Sequence, residues 1–217
     1  MKGFTAIGTA TAKVALVAAA AIGGTALVSS SVFASLTATA SNTSGGSIET
    51  GTLKLTQAAS GVAGITGGFV SNISNVAPGD TINRYIDLTN GGTLDGDVLT
   101  LAVAASPSNA LTTNGTAGLQ VTIRECAIAW TSAGVCTPGA TTVLAQTSLL
   151  ALGTAKTLSV SSLAASAVNR LQFSITLPAG SEVTNNGVLP AGTVQGLTTA
   201  VTWNFLETLR TNTITNS

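Results

Sequence analysis

Between Leu171 and Leu177 an apolar residue falls at every second position: Leu171, Phe173, Ile175 and Leu177 alternate with Gln172, Ser174 and Thr176, and Pro178-Ala-Gly180 ends the run. A period of two gathers the four apolar side chains on one face of a strand, whereas a helix would scatter them around its axis. The signature recurs along the chain. Ile82, Arg84, Ile86 and Leu88 share one side, with Asn83, Tyr85, Asp87 and Thr89 on the other. Leu119, Val121 and Ile123 form a third set, and Val201, Trp203 and Phe205 a last one. Shorter matches lie at Leu53 and Leu55, at Phe69, Ser71 and Ile73, and over Thr157–Val160. Val98–Val103 is a continuous apolar run, as expected of a strand buried on both faces.

Turn chemistry separates these runs. Ala77-Pro78-Gly79-Asp80 combines a proline that presets one φ with a glycine free to take a positive one, and Asn90-Gly91-Gly92 and Asp95-Gly96 break the chain again. Only Ala145–Ala151 and Leu163–Val168 are compatible with a helical turn, and no repeat of fixed period stands out. Short strands with such punctuation predict an all-β fold, a jelly roll or β-sandwich. Composition agrees. Thr, Ser, Asn and Gly furnish the polar surface in place of the helix-forming Lys and Glu, and only 7% of residues are charged. A formal net charge of zero offers nucleic acid no electrostatic footing, so none is expected as a partner. The same weak charge leaves little self-repulsion to oppose dense self-association.

The chain opens with an export signature. Lys2 and Lys13 precede an apolar run over Val14–Val28, and Ser29–Ala34 supplies a small-residue exit. Residues 1–34 are read as a signal peptide cleaved between Ala34 and Ser35, which leaves six basic and eight acidic residues. The rival reading, a retained membrane anchor, is weakened by Gly23-Gly24 and by the serines that follow. Residues 35–47 are a short polar stretch in which Leu36, Ala38 and Ala40 occupy one side and threonines and serines the other. It buries too little to fold alone, so it is either a linker or a strand awaiting another sheet. Residues 48–210 form the β domain and residues 211–217 a polar tail.

Cys126 and Cys136 bracket nine residues that include Trp130. After export this spacing points to a structural disulfide rather than redox chemistry, since there is no Cys-x-x-Cys and Arg124 is the one basic neighbour. The chain contains no histidine. This rules out a Ser-His-Asp triad and a His-Glu-x-x-His zinc site. Asp95-Gly-Asp97 has the oxygen spacing of a calcium loop without the other ligands, and Asp80, Asp87, Glu49, Glu125, Glu182 and Glu207 are scattered. No catalytic residue, metal ligand or cofactor is therefore assigned. Trp130 and Trp203 are read as core aromatics in preference to sugar-stacking platforms.

Three ordered stretches resemble the camelysin/TasA family of exported biofilm-matrix proteins. The first is Val32-Phe-Ala-Ser35 with Ser47-Ile-Glu-Thr-Gly-Thr-Leu-Lys-Leu55. The second is Val70–Asp80 with its Ala-Pro-Gly-Asp turn, leading into Tyr85–Leu94. The third is Val201-Thr-Trp-Asn-Phe205. The resemblance implies a jelly-roll subunit, exported through a signal peptidase and secreted to the extracellular space or cell surface. Its residues 35–47, with Leu36, Ala38 and Ala40, would complete the sheet of the next copy. Partners would then be further copies of itself, in a homopolymer, with accessory matrix proteins beside them. An enzyme is not expected. The alternatives are a camelysin-type surface metalloendopeptidase, which the absent histidines disfavour, and a monomeric cell-surface binding module.

Overall fold

The computed structural model describes residues 50–180 and 186–211, so Ala34, Ser35, Leu36, Ala38 and Ala40 lie outside the described residues. From Gly51 onward the described chain is built from strands in two antiparallel sheets. In chain order the elements are β1 (Leu55–Ala59), β2 (Thr81–Asn90), β3 (Gly96–Ser106), α1 (Ala110–Thr113), β4 (Gln120–Cys126), β5 (Thr141–Ser148), α2 (Leu149–Leu152), β6 (Lys156–Thr157), β7 (Val168–Thr176) and β8 (Ala200–Leu209). The larger sheet has the order β1-β2-β7-β4-β5 and the smaller one β6-β3-β8. Every ladder between named strands is antiparallel.

The alternating runs place one core between the sheets. Ile86 and Leu88 of β2, Val121 and Ile123 of β4, and Leu171, Phe173 and Ile175 of β7 face Leu99, Leu101 and Val103 of β3. Phe173 on the central strand is fully buried and meets three rings edge-on: Phe69 at 5.0 Å, Trp203 at 5.2 Å and Phe205 at 6.1 Å between centroids. The expected turn before β2 forms. Asp80 donates its amide to the Ala77 carbonyl at 2.9 Å, the Ala77 amide returns to Asp80 Oδ2 at 2.8 Å, and Gly79 takes φ 98°.

Several local expectations are corrected. Val98–Val103 is not buried on both faces: Leu99, Leu101 and Val103 are buried while Val98, Thr100 and Ala102 remain partly exposed, because the smaller sheet is covered on one side only. Phe69, Ser71 and Ile73 form no strand; Phe69 folds in to stack on Trp203 at 5.0 Å. Ala145–Ser148 is the end of strand β5, with helix confined to Leu149–Leu152, where the Ser148 hydroxyl accepts the Ala151 amide at 3.2 Å. Leu163–Val168 is a turn leading into β7, and of Thr157–Val160 only Thr157 belongs to a strand, β6.

Tyr85 keeps its expected side of β2, opposite Ile86 and Leu88, but that side is buried here. Beyond the larger sheet lies a second, smaller cluster of Tyr85, Trp130, Cys126 and Cys136, with Ile65 against it. The two cysteines are joined, with a Cα–Cα separation of 5.7 Å that a disulfide spans without backbone movement. The bridged loop lays Trp130 edge-on against Tyr85 at 5.4 Å, and Trp130 Nε1 donates to the Arg170 carbonyl at 3.2 Å. Gln172 donates to the Tyr85 hydroxyl at 2.8 Å. Gly134 approaches the Tyr85 ring with φ 72°, where a Cβ would collide with the hydroxyl.

Candidate functional site

The two long sides of this pair of sheets are finished differently. On one side the chain following β6 stitches the sheets together. Leu158 donates its amide to Leu99 of β3 at 2.9 Å, and Ser159 donates to Val143 of β5 at 3.1 Å. Ser161 then gives both its amide and its hydroxyl to the Glu125 carboxylate, each at 2.7 Å. Glu125 is thus a buried acceptor for the closing strap, which explains its place on β4.

On the opposite side no described strand pairs with the outer edge of β8, away from β3, or with that of β1, away from β2. Between them runs a groove of about 300 Å³, lined by Leu55 and Gln57 of β1, Leu88 of β2, and Trp203, Asn204 and Phe205 of β8. The inward residues Val201, Trp203 and Phe205 pack on the core yet stay only partly buried, because nothing described flanks them on the outer edge. A sheet edge of this kind carries a row of main-chain donors and acceptors ready to pair with another strand.

The last inward position of β8 is Glu207, opposite Leu99 and against Gly96, where a Cβ would clash with its carboxylate. The residue is only 8% exposed, and neither carboxylate oxygen has a hydrogen-bond partner among the described residues. Burial therefore pushes its carboxyl above the ordinary carboxylate range. The sequence reading left Glu207 among scattered acids. The available signal was its parity with Val201, Trp203 and Phe205, which places it on the buried face.

A stability consequence follows. Glu207 keeps its proton in the folded chain at pH values where the unfolded chain has lost it, so the folded state binds more protons and stability falls as pH rises through that window. Glu207→Gln should raise the unfolding free energy near neutral pH by about 1 kcal/mol. The gain should shrink toward the ordinary carboxylate pKa. A urea midpoint that is unchanged at neutral pH would contradict this.

Three other described acids have local partners. Asp80 closes its turn, and Asp95 accepts the Ala165 amide at 2.8 Å. Asp87 stands opposite Arg170, and burial raises its carboxyl against the opposing pull of that guanidinium. Asp95 and Asp97 join no larger acidic cluster, and among the described residues no group of three or more His, Cys, Asp or Glu converges as a metal-binding set would. Trp130 is buried in the disulfide cluster, and Trp203 borders the groove.

No curated protein matches the sequence. The profile of the camelysin metallo-endopeptidase family, however, matches residues 9–205. That span contains all three stretches that carry the resemblance, so the chain belongs to the camelysin family.

Proposed function

We propose that the protein is a secreted structural subunit of extracellular biofilm-matrix or pilus-like fibres that polymerises by donor-strand exchange. Residues 35–47 of one copy would lie along β8 of the next. The observation that carries this reading is the contrast between the stitched β5/β6 side and the open β1/β8 side. The proposed donor has suitable dimensions. Thirteen extended residues span about 43 Å and the ten residues of β8 about 33 Å, at roughly 3.3 Å per residue. Main-chain pairing asks little of side chains, which suits a segment of small residues.

The count of strands supports the same position. A strand added beside β8 would bring the smaller sheet to four, facing β2-β7-β4-β5, with β1 as an extra edge. Two such four-stranded antiparallel sheets make the jelly roll expected from the sequence. Because donor and acceptor sites lie on different parts of the chain, the contact is head-to-tail and propagates as a filament.

The family description keeps a metallo-endopeptidase as the second reading. The residues do not fit a zinc centre: there is no histidine, and among the described residues no group of three or more acids or cysteines converges, with Asp80, Asp95 and Glu125 engaged in turn and strap hydrogen bonds. We therefore assign no catalytic role. Negative-stain microscopy of the mature chain from Ser35 should reveal filaments, and a chain starting at residue 48 should remain monomeric on sizing. Identical filaments from the shortened chain would remove the reading. Casein cleavage that is lost on chelation would favour the enzyme instead.

A further inference from the structure

We propose that the outer face of the smaller sheet is a docking surface for a second copy of this chain, packed face to face with its strands antiparallel. The starting point is charge. The outward positions of β3 carry Val98, Thr100, Ala102 and Ala104, and those of β8 carry Thr202, Asn204, Leu206 and Thr208. All are partly or fully exposed, and none is charged. Leu206 stands 64% exposed on this surface. The larger sheet is finished in the opposite way: its outer face bears Asp87, Arg124 and Arg170 beside the disulfide-bridged loop. Solvent-facing sheets ordinarily carry such charges, which keep copies apart. A face without them can stack on its own copy with no like charges opposed and no charge to strip of water.

Shape sets the direction. The face tapers from Val98 and Leu206 at one end to Ala104 and Thr202 at the other. A twofold axis in the plane of contact, perpendicular to the strands, lays the bulky end of each copy over the small end of the other. Thr100 then faces Ala104, Leu206 faces Thr202, and Ala102 faces its own counterpart on the axis. Bulky side chains meet small ones, as a packed layer requires. An axis along the strands would instead set bulky end on bulky end and leave the alanine end open. Such a contact is isologous and closes at two copies.

Size sets the strength. The eleven residues of β3 and ten of β8 give a face about 33 Å long, at roughly 3.3 Å per residue. With β6 beside them it is about 14 Å wide, at about 4.8 Å per strand. The pair would bury roughly 900 Å² in total, below the value of about 1,200 Å² at which stable pairs begin. Two free copies are therefore held weakly and separate on dilution, and the contact counts where copies are crowded side by side. It uses the face of β8 and not its outer edge, so it does not depend on strand exchange.

The test is proximity trapping in the mature full chain at high concentration, with a cysteine placed at the axis. Ala102→Cys treated with a short bismaleimide should give covalent dimers, about tenfold more than Arg124→Cys on the outer face of the larger sheet. Adding Thr100→Lys and Ala104→Lys should cut the trapped dimer about tenfold or more, since each lysine then meets a lysine of the other copy. Replacing the second change by Ala104→Glu should recover most of it, because each lysine now meets a glutamate. That chain carries as many substitutions, so loss of the fold does not mimic the pattern. Equal trapping at the two cysteine positions, a dimer indifferent to the paired lysines, or no recovery with glutamate would each overturn the contact. So would retention on microcrystalline cellulose that the paired lysines abolish while no dimer is trapped, an outcome that gives the face to a carbohydrate. Filaments scored by negative stain report strand exchange separately: a wild-type chain that forms none removes that reading, and the trapping result still decides this one.

Discussion

Phe173→Ala is expected to destabilise the domain by about 3–5 kcal/mol, the range for emptying a fully buried aromatic site. The residue sits on β7, between β2 and β4, opposite Arg84 on one side and Ile123 on the other. Its three ring neighbours come from β8 of the facing sheet, Trp203 and Phe205, and from the loop before β2, Phe69, so the cavity cannot be closed by moving one side chain. Phe69 and Trp203 also stack on each other, and losing their shared partner should loosen the groove wall formed by Trp203. Urea unfolding followed by circular dichroism measures the effect. Val168→Ala at the partly exposed start of the same strand should cost a small fraction of that amount. A Phe173→Ala loss below about 1 kcal/mol would mean that the core is not organised around this ring.

Removing the disulfide by Cys126→Ser with Cys136→Ser is expected to cost roughly 2–3 kcal/mol, the chain-entropy value for a loop of about ten residues. The effect should be local as well as global. The bridge closes the loop that holds Trp130 over Tyr85, and the Trp130 indole is tied to the Arg170 carbonyl of β7. With the bridge gone, Trp130 should become hydrated and its fluorescence should shift to the red. A Trp203→Phe background isolates that signal, since the chain has two tryptophans. Sheet content should persist, because the main core lies on the other face of β2, β4 and β7. An unshifted emission together with an unchanged urea midpoint would show that the cluster is held by packing alone.

Much of this architecture was legible in the order of residues. Period-two alternation marked β2, β4, β7 and β8, since on a strand side-chain direction depends on sequence position alone. Strand β5 escaped notice: Thr141–Ser148 is rich in small polar residues and offers the core only the adjacent Val143 and Leu144, so no alternation marks it, and its place comes largely from pairing with β4 and from Ser159. The cysteine spacing suggested a bridged loop, yet its covering of Tyr85 depends on contacts between residues 45 positions apart.

The sequence by itself determined the all-β class, the turn at Ala77–Asp80 and the absence of histidine chemistry, because alternation, glycine and proline geometry and ligand identity are properties of near neighbours. Only the tertiary structure decided which edges are closed by described residues and which are not. It also decided that, among the described residues, Glu207 is the carboxylate left buried and unpartnered, on the strand whose outer edge has no described neighbour. Burial and pairing depend on what distant segments bring against a residue, and no local pattern encodes that.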